Sequence, residues 1–201
     1  MKTVDTFLFD LGGVFVNYDP MIAVRRFCRD VRGCDEGTLL HLLFKSDLHH
    51  RFERGLLSAE AFHRCVLRAL DAEISFSRFK AYWQEIFRPI EPMIGRLDAF
   101  SRRFRLGLVS NTNVLHMDYL KSVFGFFRHF SVQVYSFEVG HAKPEAEIFR
   151  IALDRCGTHP DACVFVDDSP DNVRAAEGLG ISAIRFAGPD QFWSEAEMYW
   201  K

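Results

Sequence analysis

Val4-Asp5-Thr6-Phe7-Leu8-Phe9-Asp10-Leu11-Gly12-Gly13-Val14 is the stretch from which the rest of the chain can be read. An apolar run ends in a carboxylate and passes at once into a glycine-rich turn. Short continuous apolar runs mark strands buried on both faces, and open α/β sheets place their chemistry at the carboxyl ends of such strands. Asp10 is therefore the first candidate for a reacting group.

Three more runs match the first: Leu106 to Val109, Cys163 to Val166 and Ser182 to Phe186, with Phe130 to Val134 as a weaker fifth. Helical patterns separate them. Thr112 or Asn113 can cap Val114 to Phe124, Pro144 opens Glu145 to Cys156 with Gly157 as its stop, and Asp171 begins Asn172 to Leu179 before Gly180. Strands alternating with helices predict a doubly wound α/β domain with a parallel sheet between two helical layers. The first gap differs. From Pro20 to about Ile90 only helical periodicity is present, and roughly seventy residues far exceed what one crossover needs. We expect residues 1–17 with 91–201 to form the α/β core and residues 18–90 to form an inserted helical cap, with Arg88 to Pro92 as the linker back.

The chain has 201 residues, is 48% hydrophobic and carries a formal charge of -2. That supports one sizeable core and argues against a nucleic-acid or anionic-membrane partner. No apolar stretch approaches the ~20 residues that span a bilayer, and Met1-Lys2-Thr3 leads into a strand without a leader. The five cysteines, Cys28, Cys34, Cys65, Cys156 and Cys163, are scattered and odd in number, which points to free thiols in a reducing cytoplasm rather than a disulfide framework. The 21 phenylalanines sit mostly at core spacing. A soluble cytoplasmic monomer or homodimer is expected.

The predicted strands share one property: each of the main ones ends in polar residues. Asp10 follows the first, Ser110-Asn111-Thr112-Asn113 the second, and Asp167-Asp168-Ser169-Pro170-Asp171-Asn172 the Cys163 run, while Lys143 enters from the loop before Pro144. Taken singly, each is an ordinary cap, turn or solvated residue; occurring together, they converge on one crevice. Carboxylates brought together repel unless a cation lies among them, and an all-oxygen set suits Mg²⁺. Asp10, Asp168 and the Gly12 backbone carbonyl are the expected ligands. Lys143, the Ser110 hydroxyl and backbone donors at Asn111 would cradle a phosphoryl group.

These residues resemble the motifs of the haloacid dehalogenase (HAD) superfamily: Phe7-Leu8-Phe9-Asp10, Leu108-Val109-Ser110-Asn111, Lys143-Pro144, and Val166-Asp167-Asp168-x-x-x-Asn172. The helical insert is similar to the small cap of the subfamily that includes phosphoglycolate phosphatases and L-2-haloacid dehalogenases. The resemblance implies a Rossmann-like core and a Mg²⁺-dependent phosphatase of small phosphorylated metabolites. Asp10 would be nucleophile and metal ligand, Ser110 and Lys143 phosphate binders, Asp168 a metal ligand, Asp167 and Asn172 supports, and Asn111 a substrate contact through its amide. One position departs. Most of the family's phosphatases carry a second Asp two residues after the first, as acid and base; here that residue is Gly12, as in a branch resembling α-D-glucose-1-phosphate phosphatase. Either the leaving group needs little protonation, or Asn17, Asp19, His49, His50 or His141 supplies the proton. Arg51, Glu53 and Arg54 are the cap residues to watch for specificity. A dehalogenase using the same nucleophile is the rival chemistry, disfavoured because Asp167-Asp168 is retained, and a weakly catalytic binding relative is the other alternative.

Overall fold

The computed structural model describes residues 3–199; Met1, Lys2, Trp200 and Lys201 lie outside, and with them the start expected at Met1-Lys2 and the last aromatic of the tail. The chain opens with β1 (Thr6–Phe9) and turns through Gly12 and Gly13 into β2 (Val16–Tyr18). Five helices follow: α1 (Pro20–Asp30), α2 (Glu36–Phe44), α3 (Asp47–Glu53), α4 (Ala59–Leu70) and α5 (Phe76–Gln84). β3 (Phe87–Pro89) then returns antiparallel beside β2. Short α6 (Glu91–Ile94) and α7 (Leu97–Ser101) lead to β4 (Arg105–Ser110), and α8 (Val114–Val123) leads to β5 (Val132–Tyr135). After α9 (Ser136–Val139) and α10 (Ala146–Cys156) come β6 (Cys163–Asp167), α11 (Pro170–Glu177), β7 (Ser182–Arg185) and α12 (Pro189–Ala196).

Five strands pair in parallel in the order β5-β4-β1-β6-β7, with Phe7 opposite both Leu106 and Val164. The winding reverses at β1, so a crevice opens beyond its carboxyl end, between β4 and β6. Period-two alternation sets the layers. Phe7 and Phe9 point into a cluster with Phe100, Phe104, Phe192 and Trp193, whereas Leu8 joins Ile148, Phe149 and Phe165 on the other face. β1 is wholly buried, which fixes from both sides the strand that carries Asp10. No phenylalanine is exposed, in keeping with their core spacing.

The helices α1 to α5 enclose an apolar cluster of their own, with Phe27, Leu43, Phe62, Phe79 and Trp83 at its centre and Leu115 of α8 closing it. Serine caps start three of them: Ser46, Ser58 and Ser75 accept from the backbone N–H groups of His49, Ala61 and Arg78 at 3.3, 3.2 and 3.3 Å. Asn113 caps α8 in the same way, accepting from His116 N–H at 3.1 Å. Its Oδ1 also accepts from Trp83 Nε1 of α5 at 3.3 Å, and the Trp83 ring stacks on the His116 imidazole with centroids 5.1 Å apart.

Two expectations are corrected. The Arg88 to Pro92 linker is in part β3, a three-residue edge strand; Pro89 is tolerated there because it ends the strand at a sheet edge. Cys28 and Cys34 form a disulfide rather than standing as free thiols. The reason is local: α1 ends before Val31, and Gly33 at φ 72° folds the chain back, bringing the two Cα atoms to 5.0 Å. Cys65, Cys156 and Cys163 are free, the last two buried as expected. Among the described residues no helix is long and apolar enough to cross a membrane.

Two outcomes follow for stability. Gly55, just after α3, has φ 68°, and a Cβ there would lie 2.1 Å from the Phe137 carbonyl oxygen. Gly55→Ala should therefore lower unfolding free energy by at least ~1–2 kcal/mol, the cost of a left-handed residue before any clash is counted, as read in urea. Burial pushes the His116 imidazole down from 6.5 to about 3, with the charge of His49 acting in the same direction. A base whose folded pKa is depressed is protonated preferentially by the unfolded chain, so its contribution is intact above 6.5 and shrinks as the pH falls towards 3. Between pH 7.5 and 5 this amounts to roughly 2 kcal/mol. His116→Phe should flatten that part of the stability-pH curve; an unchanged slope would mean that another group sets it.

Candidate active site

The three strand ends and one loop bring together the polar residues that the sequence singles out. Asp10 directly follows β1 and is held in register by its own N–H, which donates to the Val166 carbonyl at 2.8 Å. Its Oδ1 accepts from the Leu11 N–H at 2.7 Å and lies 2.7 Å from Lys143 Nζ. Among the described residues Oδ2 has no donor, and Asp10 lines a cavity of about 450 Å³ with Ser110, Lys143, Asp168, Ser169 and Asn172.

Lys143 is the hub. Its ammonium lies 2.7 Å from both Asp10 Oδ1 and Asp167 Oδ2, with 1% of the side chain exposed. Burial alone would lower its pKa, but the two carboxylates hold it above the usual lysine value. Asp167, with no exposed surface, uses both oxygens on the protein: Oδ1 accepts from Ser169 N–H at 2.8 Å and Oδ2 from Lys143, while Asn172 Nδ2 reaches Oδ1 and Oδ2 at 3.1 and 3.0 Å. It is thus saturated and positions the lysine and α11. Burial pushes the Asp10 carboxyl up to about 6, helped by the Asp167 charge and opposed by Lys143; Asp168 is raised too, by burial and then by Asp167. The upward shifts measure an excess of negative charge in the crevice.

That excess, and the kind of donor, bear on the expected cation. Asp10, Asp167 and Asp168 place carboxylate oxygens within 4.8 Å of one another, and oxygen donors alone suit a hard divalent ion. The following turn agrees: Gly13 N–H donates to the Val16 carbonyl at 2.9 Å, while Phe15 and Val16 N–H donate to that of Leu11 at 2.9 and 3.1 Å, so these bonds leave the Gly12 carbonyl unused. Gly13 has φ 73°, and a Cβ there would lie 2.5 Å from Asp168 Oδ2. Only glycine lets the turn lie so close to that carboxylate.

Gly12 is different in kind. A Cβ on it would meet nothing closer than Tyr18 Cε1 at 3.7 Å, and its φ is not positive. The turn has room for the second acid, so its absence is not imposed by packing. Tyr18, which the sequence reading passed over, leans across this position; burial, then Glu53, Asp10 and Asp168, raise its hydroxyl pKa.

Asn111 is corrected. Its amide was expected to touch substrate, yet both ends are engaged: Nδ2 donates to the Lys143 carbonyl at 2.8 Å, and Lys143 N–H donates to Oδ1 at 2.7 Å. The residue fastens the end of β4 to the loop that bears the lysine. Thr112 N–H likewise donates to Ser136 Oγ at 2.9 Å, which removes one expected backbone donor from the cradle. Ser110, buried at the end of β4, lines the cavity.

The candidate proton donors separate clearly. Asn17, His49 and His50 line the same cavity as Asp10; Asp19 instead caps α1, and His141 pairs with Glu145 at 3.3 Å. Of the cap residues, Glu53 lines the cavity, Arg51 is exposed, and Arg54 binds Glu145 and reaches the Gly140 carbonyl at 3.5 Å. Besides Tyr18, the sequence reading missed His116. Its signal was a lone histidine in the apolar run Val114-Leu115-His116-Met117, three residues after a capping Asn.

Known proteins resemble this chain over nearly its whole length. D-ribitol-5-phosphate phosphatase of Bacteroides thetaiotaomicron is 26% identical over 191 residues, covering 90% of this chain and 91% of that protein. The phosphorylated carbohydrates phosphatase of Thermotoga maritima is 24% identical, covering 90% and 84%. Among solved structures, a HAD family enzyme of Bacteroides thetaiotaomicron in its magnesium complex superposes with a TM-score of 0.83 at 25% identity, covering 98% and 99%. The model of haloacid dehalogenase-like hydrolases matches residues 4–180, the span that holds every residue of the crevice just described, and the chain belongs to that family.

Proposed function

We propose that this hydrolase is a Mg²⁺-dependent phosphatase of a small phosphorylated carbohydrate or polyol, working through a phospho-aspartyl intermediate on Asp10. The observation that carries the reading is the state of Asp10: one oxygen is pinned by Lys143 and the Leu11 N–H, and the other faces a polar cavity. Two relatives that act on phosphorylated carbohydrates support the substrate class.

Asp10 Oδ2 attacks phosphorus in line, forming the acyl-phosphate bond as the bond to the leaving oxygen breaks. Water then attacks the intermediate, releasing phosphate and restoring the carboxylate. Ser110 and Lys143 hold the phosphoryl oxygens, and Asp167 with Asn172 keeps Lys143 in place. Asp10, the Gly12 carbonyl and Asp168 would hold Mg²⁺, whose positive charge offsets the crowded carboxylates and the phosphoryl oxygens. In this reading residues 18–90 are the cap, which excludes water and selects the substrate. With no acid at position 12, the leaving oxygen takes its proton from solvent or from a cap group. General acid catalysis is typically worth ~10²–10⁴-fold, so the reading implies a modest rate on poor leaving groups.

Phosphate release across a panel of sugar and polyol phosphates should require added Mg²⁺ after EDTA treatment and should vanish in Asp10→Asn. Turnover that survives either change would sink the proposal. Gly13→Ala, which drives a methyl group into the Asp168 carboxylate, should raise the Mg²⁺ concentration for half-maximal activity by tenfold or more while leaving the fold intact by circular dichroism.

A further inference from the structure

A second cavity, of about 290 Å³, adjoins the first and shares Ser110, Asn111, Tyr18, His49 and Glu53 with it. Its walls are otherwise largely apolar, with Leu11, Val16, Leu40, Phe44 and Phe87 among them. Two imidazoles stand in these walls, each with a buried nitrogen that has no partner: His49 Nδ1 and His116 Nε2. The residues are only 6% and 8% exposed. A buried polar atom left unpaired costs on the order of 1–3 kcal/mol, so two facing one cavity are a marker of something that binds there.

Their proton positions follow from their neighbours. Asn113 Oδ1 accepts from His116 N–H and from Trp83 Nε1, which orients the amide so that Nδ2 donates to His116 Nδ1 at 3.1 Å. His116 Nδ1 is therefore an acceptor, and the ring proton is on Nε2, aimed at no protein atom. The opposite holds for His49. Its Nε2 faces Glu53 Oε1 at 3.3 Å and gives its proton to that carboxylate, leaving Nδ1 as a bare lone pair. The cavity thus offers one donor and one acceptor.

A hydroxyl both accepts and donates, and of the common metabolite groups it is the one that fits this pair. A carboxylate accepts only, and would meet Glu53 across the shared wall; an ammonium donates only, and would leave His116 unmet. The apolar walls suit a short carbon chain. We propose that this cavity receives the unphosphorylated part of the substrate and that His49 and His116 together bind one of its hydroxyls, selecting an uncharged polyol or sugar chain over acidic or hydroxyl-free esters of the same length. The inference rests on the phosphatase reading above. Burial, which holds His116 far below the ordinary histidine value, keeps the pair uncharged in the working range and agrees with an uncharged ligand.

The test compares D-ribitol 5-phosphate, n-pentyl phosphate and 5-phosphopentonate as substrates of the full-length protein. The wild type should favour the ribitol ester over both others by at least tenfold in kcat/KM. In His116→Phe and His49→Phe that ratio should fall towards one, mainly through KM for the ribitol ester, and His116→Gln, which restores an amide donor at similar reach, should recover part of it. Equal use of the three esters, or a ratio that neither Phe variant changes, overturns the subsite. If the wild type hydrolyses none of them, the phosphatase reading fails instead, and the subsite is judged by ¹⁵N resonances of the histidine rings. Both rings should then show the Nε2–H tautomer, and His49 Nδ1 and His116 Nε2 should shift on titration with ribitol; silent rings overturn it.

Discussion

One buried cation sets the terms for everything around it. Lys143 lies between Asp10 and Asp167 where almost no solvent reaches, and a buried ammonium is stable only with such partners. The partners in turn need the lysine, because three carboxylates converge where β1 and β6 end. The sheet serves this pairing. β1 is buried on both faces and flanked by β4 and β6, so Asp10 and Asp167 are delivered to fixed positions by backbone register rather than by flexible loops. The loop that carries Lys143 would be the weak member, and the Asn111 amide ties its backbone to the end of β4. The lysine still leaves one negative charge uncompensated for each carboxylate beyond the first, which raises the Asp10 and Asp168 carboxyls and makes the crevice receptive to positive charge.

The sheet and the crevice were legible because they rest on strong local signals. Four apolar runs ending in polar clusters identify strands, and their carboxyl ends identify the site; Asp10, Ser110, Lys143 and Asp168 all line the larger cavity. Other features depend on contacts that a single chain segment does not announce. β2 and β3 have three residues each and are seventy residues apart, so neither has a readable period until the other is beside it. Cys28 and Cys34 match no familiar spacing, and the positive φ at Gly33 is what folds one back to the other. Asn111 was read as a substrate contact because an amide beside a phosphate cradle usually is one; that its partner would be the backbone of Lys143, thirty-two residues on, is a tertiary fact.

His116 shows the same limit from the other side. In sequence it is one polar residue in the first turn of an apolar helix, and the usual outcome is a satisfied core histidine. Here Asn113 satisfies one nitrogen and thereby fixes the other as a donor, while Trp83 stacks on the ring and holds its plane. The helix cap, the tautomer and the seam between α5 and α8 are a single arrangement. Function and stability are coupled through it, since the groups that define the wall of the second cavity also join the inserted helices to α8.

The neighbouring glycines Gly12 and Gly13 make a final contrast. Gly13 is required by shape: its backbone is left-handed, and the Asp168 carboxylate fills the space where a Cβ would go. Gly12 has ordinary backbone angles and open space up to the Tyr18 ring. The turn is therefore a two-residue unit with one constrained position and one free attachment point, directed at the reacting carboxylate. A lineage that started from this scaffold could gain or lose a side chain at position 12 by a single codon change without rebuilding the loop, so the strength of its acid catalysis is an adjustable property rather than one built into the fold.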